Sequence, residues 1–143
     1  MPKRIGTKSS KPGYATAARA AQSGYQQASK LGAKNPEKAM LLCKELLDTE
    51  LAELAQAYEA ALDLVDEAID RDFEKIRRDS LGDAVDAEYA AFTVLEVAQV
   101  EAQYAQAERT WREARRQALR EYVDRHRQAI SRYDAACAQV VAL

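Results

Sequence analysis

Side chains that could bind a metal or act as acid, base or nucleophile are few and widely spaced in this chain. The single histidine is His126, and the two cysteines are Cys43 and Cys137. No Glu-x-x-His pair, zinc-type cysteine spacing or glycine-rich phosphate loop occurs in the sequence. We therefore expect no catalytic site, no metal site, no cofactor and no small-molecule substrate, and we predict that the protein is not an enzyme.

An acidic cluster in the middle of the chain is the nearest approach to a cation site. Its members are Asp63, Asp66, Glu67, Asp70 and Asp72. Their spacing is that of one solvated helix face, which favours a surface role over metal binding. In the folded chain we expect this cluster to face residues 90–99, which contain no basic residue.

The N-terminal segment is the region whose composition predicts contact with a charged partner. Residues 1–38 carry eight basic residues and one acidic residue. The side chains that we predict to bind the partner are Lys3, Arg4, Lys8, Lys11 and Arg19. Such a cluster neutralises nucleic-acid phosphates in a salt-dependent way or docks on an acidic protein surface. The composition of this segment is compatible with nucleic acid and with an acidic protein as the partner.

The elements that must position these groups are helices. The chain has five glycines and three prolines, and it is rich in Ala, Glu, Arg, Gln and Leu, which is typical of long helices. No run alternates between apolar and polar residues as a strand does, so we predict an all-α fold. Asn35 and Pro36 form a strong helix start. The predicted helices cover residues 14–31, about 36–80 and about 84–142.

The apolar stripes of the second and third helices match when the chain folds back at residues 80–83. Folding there puts Tyr58 opposite Ala107 and Ala61 opposite Tyr104. Large residues then face small ones, as close helix packing requires. We therefore predict a long antiparallel helical hairpin with coiled-coil-like packing.

The hairpin register has consequences for other residues. The predicted parts of the chain are a basic N-terminal arm with a short helix at 1–34 and the hairpin at 35–143. In this register Cys43 lies near Tyr122 and far from Cys137, so we expect no disulfide within one chain. The same register pairs Glu50 with Arg115 on the exposed flank of the seam.

When the chain folds back, the third predicted helix extends past the start of the second. Towards this end of the hairpin, which lies opposite the turn, the apolar face broadens. The residues that we predict to contact another subunit are Leu42, Leu46, Leu119, Val123, Ile130, Tyr133, Val140 and Val141. A broadened apolar face needs a third helix to cover it. That helix is either the segment 14–31 of the same chain or a second chain.

An oligomerising helical rod without a catalytic motif is typical of structural and assembly proteins. We expect such a role, with copies of this chain or other subunits of a large assembly, such as a phage virion, as partners. In size and hairpin form the chain also resembles the coiled-coil stalk proteins of flagellar and type III export ATPases. That resemblance implies an adaptor that docks on an ATPase ring. A nucleic-acid-associated protein that acts through the basic arm is the third function that stays open.

The sequence also bears on location. No apolar stretch approaches the roughly 20 residues that cross a bilayer, and no secretory signal is apparent at the N-terminus. We therefore expect no membrane contact, and a location in the cytoplasm or within an assembled particle.

Overall fold

The computed structural model of this chain describes residues 13–81 and 94–142. These residues form three helices and no strand, so the predicted all-α class is confirmed. Helix α1 covers Tyr14–Gly32, helix α2 covers Pro36–Leu81 and helix α3 covers Val94–Ala142. The arm residues Lys3, Arg4, Lys8 and Lys11 and the predicted turn at Gly82 and Asp83 lie outside the described residues.

Local sequence explains where α1 ends and α2 begins. The side-chain oxygen of Asn35 accepts a hydrogen bond from the backbone amide of Lys38 at 3.2 Å, and Pro36 is the first residue of α2. An asparagine cap followed by proline satisfies a free amide and presets the backbone for a helix. The carbonyl of Leu31 accepts bonds from the amides of Lys34 and Asn35, at 2.9 and 2.8 Å, which closes α1. The predicted helix start is confirmed.

The chain divides into two compact units. Unit 1 comprises Met1–Ala60 and Leu119–Leu143, and unit 2 comprises Ala61–Ala118. Among described residues, unit 1 therefore contains α1, the first part of α2 and the last part of α3. The predicted division into parts 1–34 and 35–143 stays a prediction. Neither described range, 13–81 or 94–142, contains a helix that is both long and apolar enough to cross a membrane.

The core of unit 1 forms where α1 packs one face of small residues against α2 and α3. The buried residues of this core are Ala17, Ala21, Tyr25 and Ala28 of α1, Ala39, Cys43, Leu47 and Leu54 of α2, and Ala129, Ala136 and Val140 of α3. Alanines at these positions let the helices approach closely. Gly24 has the same effect, since a Cβ atom there would overlap the side chain of Leu46.

Within unit 1, the contact between α2 and α3 differs from the predicted one. The rings of Tyr58 and Tyr122 stack with their centroids 4.7 Å apart, whereas the sequence pattern placed Tyr122 near Cys43. Tyr122 therefore contacts a residue of α2 about 15 positions after the predicted one, which is a shift of about four helical turns. The predicted register is wrong because a heptad stripe repeats every seven residues, so a shift of about two heptads keeps the same stripe in contact.

Unit 2 requires the same correction. The rings of Phe73 and Tyr104 meet edge to face at 5.2 Å, although the predicted partner of Tyr104 was Ala61. The indole N–H of Trp111 donates a hydrogen bond to Asp66 at 2.8 Å. Trp111 is half-buried and held by this polar contact.

Candidate functional site

A groove of about 640 Å³ follows one face of α3 in unit 1. We call it the α3 groove, and its lining residues are Tyr122, Val123, His126, Arg127, Ile130, Ser131 and Asp134. Leu119 lies one helical turn before Val123, and the two side chains are 47% and 41% exposed. Together with His126 and Ile130 they have the spacing of a single apolar stripe on a helix.

His126 contributes to this groove through its ring. It meets the ring of Tyr122 edge to face at 6.0 Å, and Tyr122 in turn stacks on Tyr58. In the described part of the chain, no three His, Cys, Asp or Glu side chains come together as a metal site would require. The geometry thus gives His126 a packing role on the groove surface.

The eight residues predicted to contact another subunit occupy two settings in the structure. Leu42, Leu46, Ile130 and Tyr133 are partly buried against the core of unit 1, and Val140 is buried within it. Leu119, Val123 and Val141 are exposed, the last at 77%. The segment 14–31, which the sequence left as one of two candidates, therefore packs on the broadened apolar face as α1. The exposed residues remain accessible for a second chain.

Arg19 is the one predicted arm residue within the described ranges. It lies exposed on α1 and donates a hydrogen bond to the hydroxyl of Thr16 at 3.4 Å. This contact is local to one helical turn. Binding of nucleic acid or of an acidic protein by the arm stays a prediction.

One carboxylate of the acidic cluster makes a structural contact in unit 2. Asp66 accepts hydrogen bonds from the indole of Trp111 at 2.8 Å and from Arg115 at 3.0 Å. The bond from Trp111 and, to a smaller extent, the bond from Arg115 lower the pKa of Asp66 from its ordinary value. The prediction that Asp66 faces residues 90–99 is wrong, because in the observed register its carboxylate contacts Arg115.

A buried ion pair between α2 and α3 is the polar feature that sequence reasoning missed. Glu50 is 1% exposed, and its carboxylate accepts a hydrogen bond from the guanidinium of Arg132. Burial raises the pKa of Glu50, and the charge of Arg132 opposes that rise. The predicted pairing with Arg115 on an exposed flank is wrong, because it depended on the incorrect register.

A second, more polar cavity of about 440 Å³ lies between α1 and α3 in unit 1. Its lining residues are Gln22, Tyr25, Gln26, Ser29, Lys30, Arg132, Ala135, Ala136 and Gln139. The hydroxyl of Tyr25 is buried there without a protein partner, and burial raises the pKa of Tyr25 to about 12. Buried polar atoms beside a cavity of this size are typically satisfied by water. We therefore regard it as a hydrated part of the core.

The two cysteines lie together in unit 1. Cys43 is fully buried, and Cys137 packs, partly buried, against the core cluster that contains Cys43. Both cysteines are free thiols. The predicted separation of the two residues is wrong, and the four-turn shift in register accounts for the difference.

Comparison of the chain with family models, curated proteins and solved structures finds no match. The functional proposal therefore rests on unit 1, where exposed apolar residues of α3 lie beside a well-packed core. The α3 groove is the candidate functional site, because its lining combines an apolar stripe with charges of both signs.

Proposed function

We propose that this protein is a non-enzymatic structural or assembly protein that associates with a second copy of itself through the α3 groove. The observation that carries the proposal is the exposure of Leu119 and Val123 at helical spacing beside the groove. Such a stripe is typical of a surface that packs against another helix. In the described residues α1 packs beside the groove, against Tyr122 and Ile130, and a second chain is, in our proposal, what covers the exposed stripe.

The distribution of charge and size along α3 supports a second copy as that occupant. In an antiparallel, twofold pairing of two α3 helices about Ile130 and Ser131, Arg127 of one copy meets Asp134 of the other. Both residues line the groove. The same pairing places Leu119 and Val123 opposite Ala142 and Ala138, which are exposed alanines. Large residues then face small ones and opposite charges meet, as a self-complementary interface requires.

The scaffold that presents this surface is, in our proposal, an antiparallel hairpin of α2 and α3. Its support in unit 1 is the order of contacts along the two helices. Tyr58 contacts Tyr122, whereas the earlier residue Glu50 contacts the later residue Arg132. A rigid scaffold of this kind keeps the α3 groove straight, which suits helix-on-helix association.

The test is the absolute mass of the full chain, measured by light scattering coupled to gel filtration. We expect a dimer for the natural sequence and a monomer for Val123→Glu, because a buried carboxylate without a partner opposes association. Leu41→Glu is the matched control, since Leu41 is 66% exposed on α2, outside the groove. This control should remain dimeric. Both exposed sites should tolerate the change, and circular dichroism verifies that the helices persist.

A charge exchange tests the pairing itself. Arg127→Asp and Asp134→Arg should each weaken the dimer by placing like charges opposite each other, and the double variant should restore it. A monomeric natural chain, or a Val123→Glu variant of unchanged mass, would contradict the proposal. Nucleic acid that elutes with a monomer only at low salt would favour the basic-arm alternative instead. Binding of the monomer to an export ATPase ring would favour the adaptor.

A further inference from the structure

Cys43 and Cys137 are the two cysteines of the chain, and they meet across the α2–α3 contact of unit 1. Burial raises the pKa of the Cys43 thiol, and its interaction with Cys137 adds to that rise, so the two side chains are neighbours. Cys43 belongs to the same core cluster as Ala21, Tyr25 and Ala28 of α1, and Cys137 packs against that cluster. Neighbouring cysteines on two packed helices can bond where their Cα atoms lie within about 7 Å of each other.

We propose that Cys43 and Cys137 form a reversible disulfide that links α2 to α3 within one chain. This modification site is independent of the α3 groove and goes beyond the proposed assembly role. The bond would close a loop of roughly 100 residues, and in the chain-entropy model a cross-link restricts the unfolded chain more as the loop grows longer. The disulfide would therefore hold α2 and α3 of unit 1 in their observed register.

The difference in exposure between the two thiols determines which of them reacts first. Cys137 is partly exposed, whereas Cys43 is fully buried. A small disulfide such as oxidised glutathione therefore meets Cys137 first. The thiolate of Cys137 attacks one glutathione sulfur, the glutathione S–S bond breaks, and one glutathione leaves as a thiolate.

The second step is internal. The thiolate of Cys43 attacks the sulfur of Cys137 in the mixed disulfide, and the second glutathione leaves as a thiolate. Two protein thiols are thereby oxidised, one glutathione disulfide is reduced, and the two protons pass to the departing glutathione thiolates. Because burial raises the pKa of the Cys43 thiol, this step is expected to be slower at neutral pH than at alkaline pH.

The experiment uses the full chain, reduced and then equilibrated in buffers with an increasing ratio of oxidised to reduced glutathione. Free thiols are counted by the gel shift that a maleimide–polyethylene glycol label produces, and intact mass is measured alongside. We expect both thiols to become protected together in a monomer-length chain, with a mass loss of about 2 Da. Cys43→Ser and Cys137→Ser should each retain one thiol, free or capped by glutathione.

Thermal unfolding of the natural chain provides a second measurement that needs no variant. The oxidised chain should unfold at least about 5 °C above the reduced chain, and dithiothreitol should abolish that difference. Thiols that remain reactive in pure oxidised glutathione would overturn the proposal. So would a disulfide that forms only between chains, as a dimer on a non-reducing gel. A lower unfolding temperature after oxidation would contradict the claim that the bond fits the folded register.

Discussion

Replacement of Arg132 by leucine tests the most consequential contact of unit 1. Arg132 neutralises Glu50, whose side chain is 1% exposed, while Arg132 itself is 24% exposed. Leucine fills part of the same space but supplies no charge and no hydrogen-bond donor. The variant therefore leaves a buried carboxylate without a cation, which is the costly way to break a buried pair.

The expected cost is about 3 kcal/mol at neutral pH, the lower end of the range for broken buried pairs, because Arg132 is partly exposed. That corresponds to a fall of about 10 °C in the midpoint of thermal unfolding. Glu50→Gln/Arg132→Leu should recover most of the loss, because the double variant removes the charge as well as its partner.

The pKa of Glu50 determines how the stability defect of Arg132→Leu changes with pH. Burial raises the folded pKa of Glu50 above the ordinary value of 4.5, and loss of Arg132 raises it further. A raised pKa means that protonated Glu50 favours folding below the unfolded pKa, and that this contribution is lost as pH rises through the folded pKa. The defect of Arg132→Leu should therefore shrink on moving from about pH 7 to about pH 5.

Urea unfolding followed by circular dichroism measures these differences. Arg116→Leu is the matched control, because Arg116 forms an exposed pair with Glu113 at 2.9 Å, one turn away on the same helix. It should change the free energy of unfolding by less than about 0.5 kcal/mol. An Arg132→Leu variant as stable as this control, or a defect that grows towards acid pH, would refute the buried-pair reasoning.

Three further predictions concern other contacts. Trp111→Phe removes the indole donor from Asp66, so NMR titration should show the pKa of Asp66 rising towards its ordinary 3.8. Gly24→Val should cost about 1–3 kcal/mol in urea unfolding, because the added side chain meets Leu46 of α2, whereas Ser23→Val, at an exposed position of the same helix, should cost less than about 0.5 kcal/mol. Tyr25→Phe should leave stability unchanged within about 1 kcal/mol at neutral pH, because the hydroxyl has no protein partner. It should also remove a loss of stability that the natural chain shows as pH rises from 10 towards about 12.

Local patterns predicted the elements of this fold well. The Asn35-Pro36 pair marks the start of α2 because capping is decided by neighbouring residues. The end of α1 at Gly32 lies one residue beyond the predicted end. Low glycine and proline content and helical periodicity were sufficient for the all-α class. Each of these inferences depends on contacts within a few residues, which is the range that a single sequence describes directly.

The polar contacts of the core could not be predicted in the same way. Glu50 reads as an ordinary surface residue of an amphipathic helix, yet α1 and α3 cover it completely. The burial of Glu50 depends on which residue of α3 lies opposite it. The register of the two helices also decides whether Cys43 lies beside Cys137. Gly24 gave a weak signal, since a glycine inside a helix often marks a close approach of another element.

The error in register has a physical basis in the heptad repeat. A seam of alanines, leucines and tyrosines packs acceptably in several registers that differ by whole heptads, because each brings apolar residues into contact. A tight turn at 80–83 would favour one of these registers over the others. The structure has features that discriminate more strongly. The Glu50–Arg132 ion pair forms only when these two residues are opposite each other, and a slip of one heptad would leave the buried carboxylate without its cation. Polar contacts therefore select the register of unit 1 among alternatives that apolar packing alone leaves nearly equal in energy.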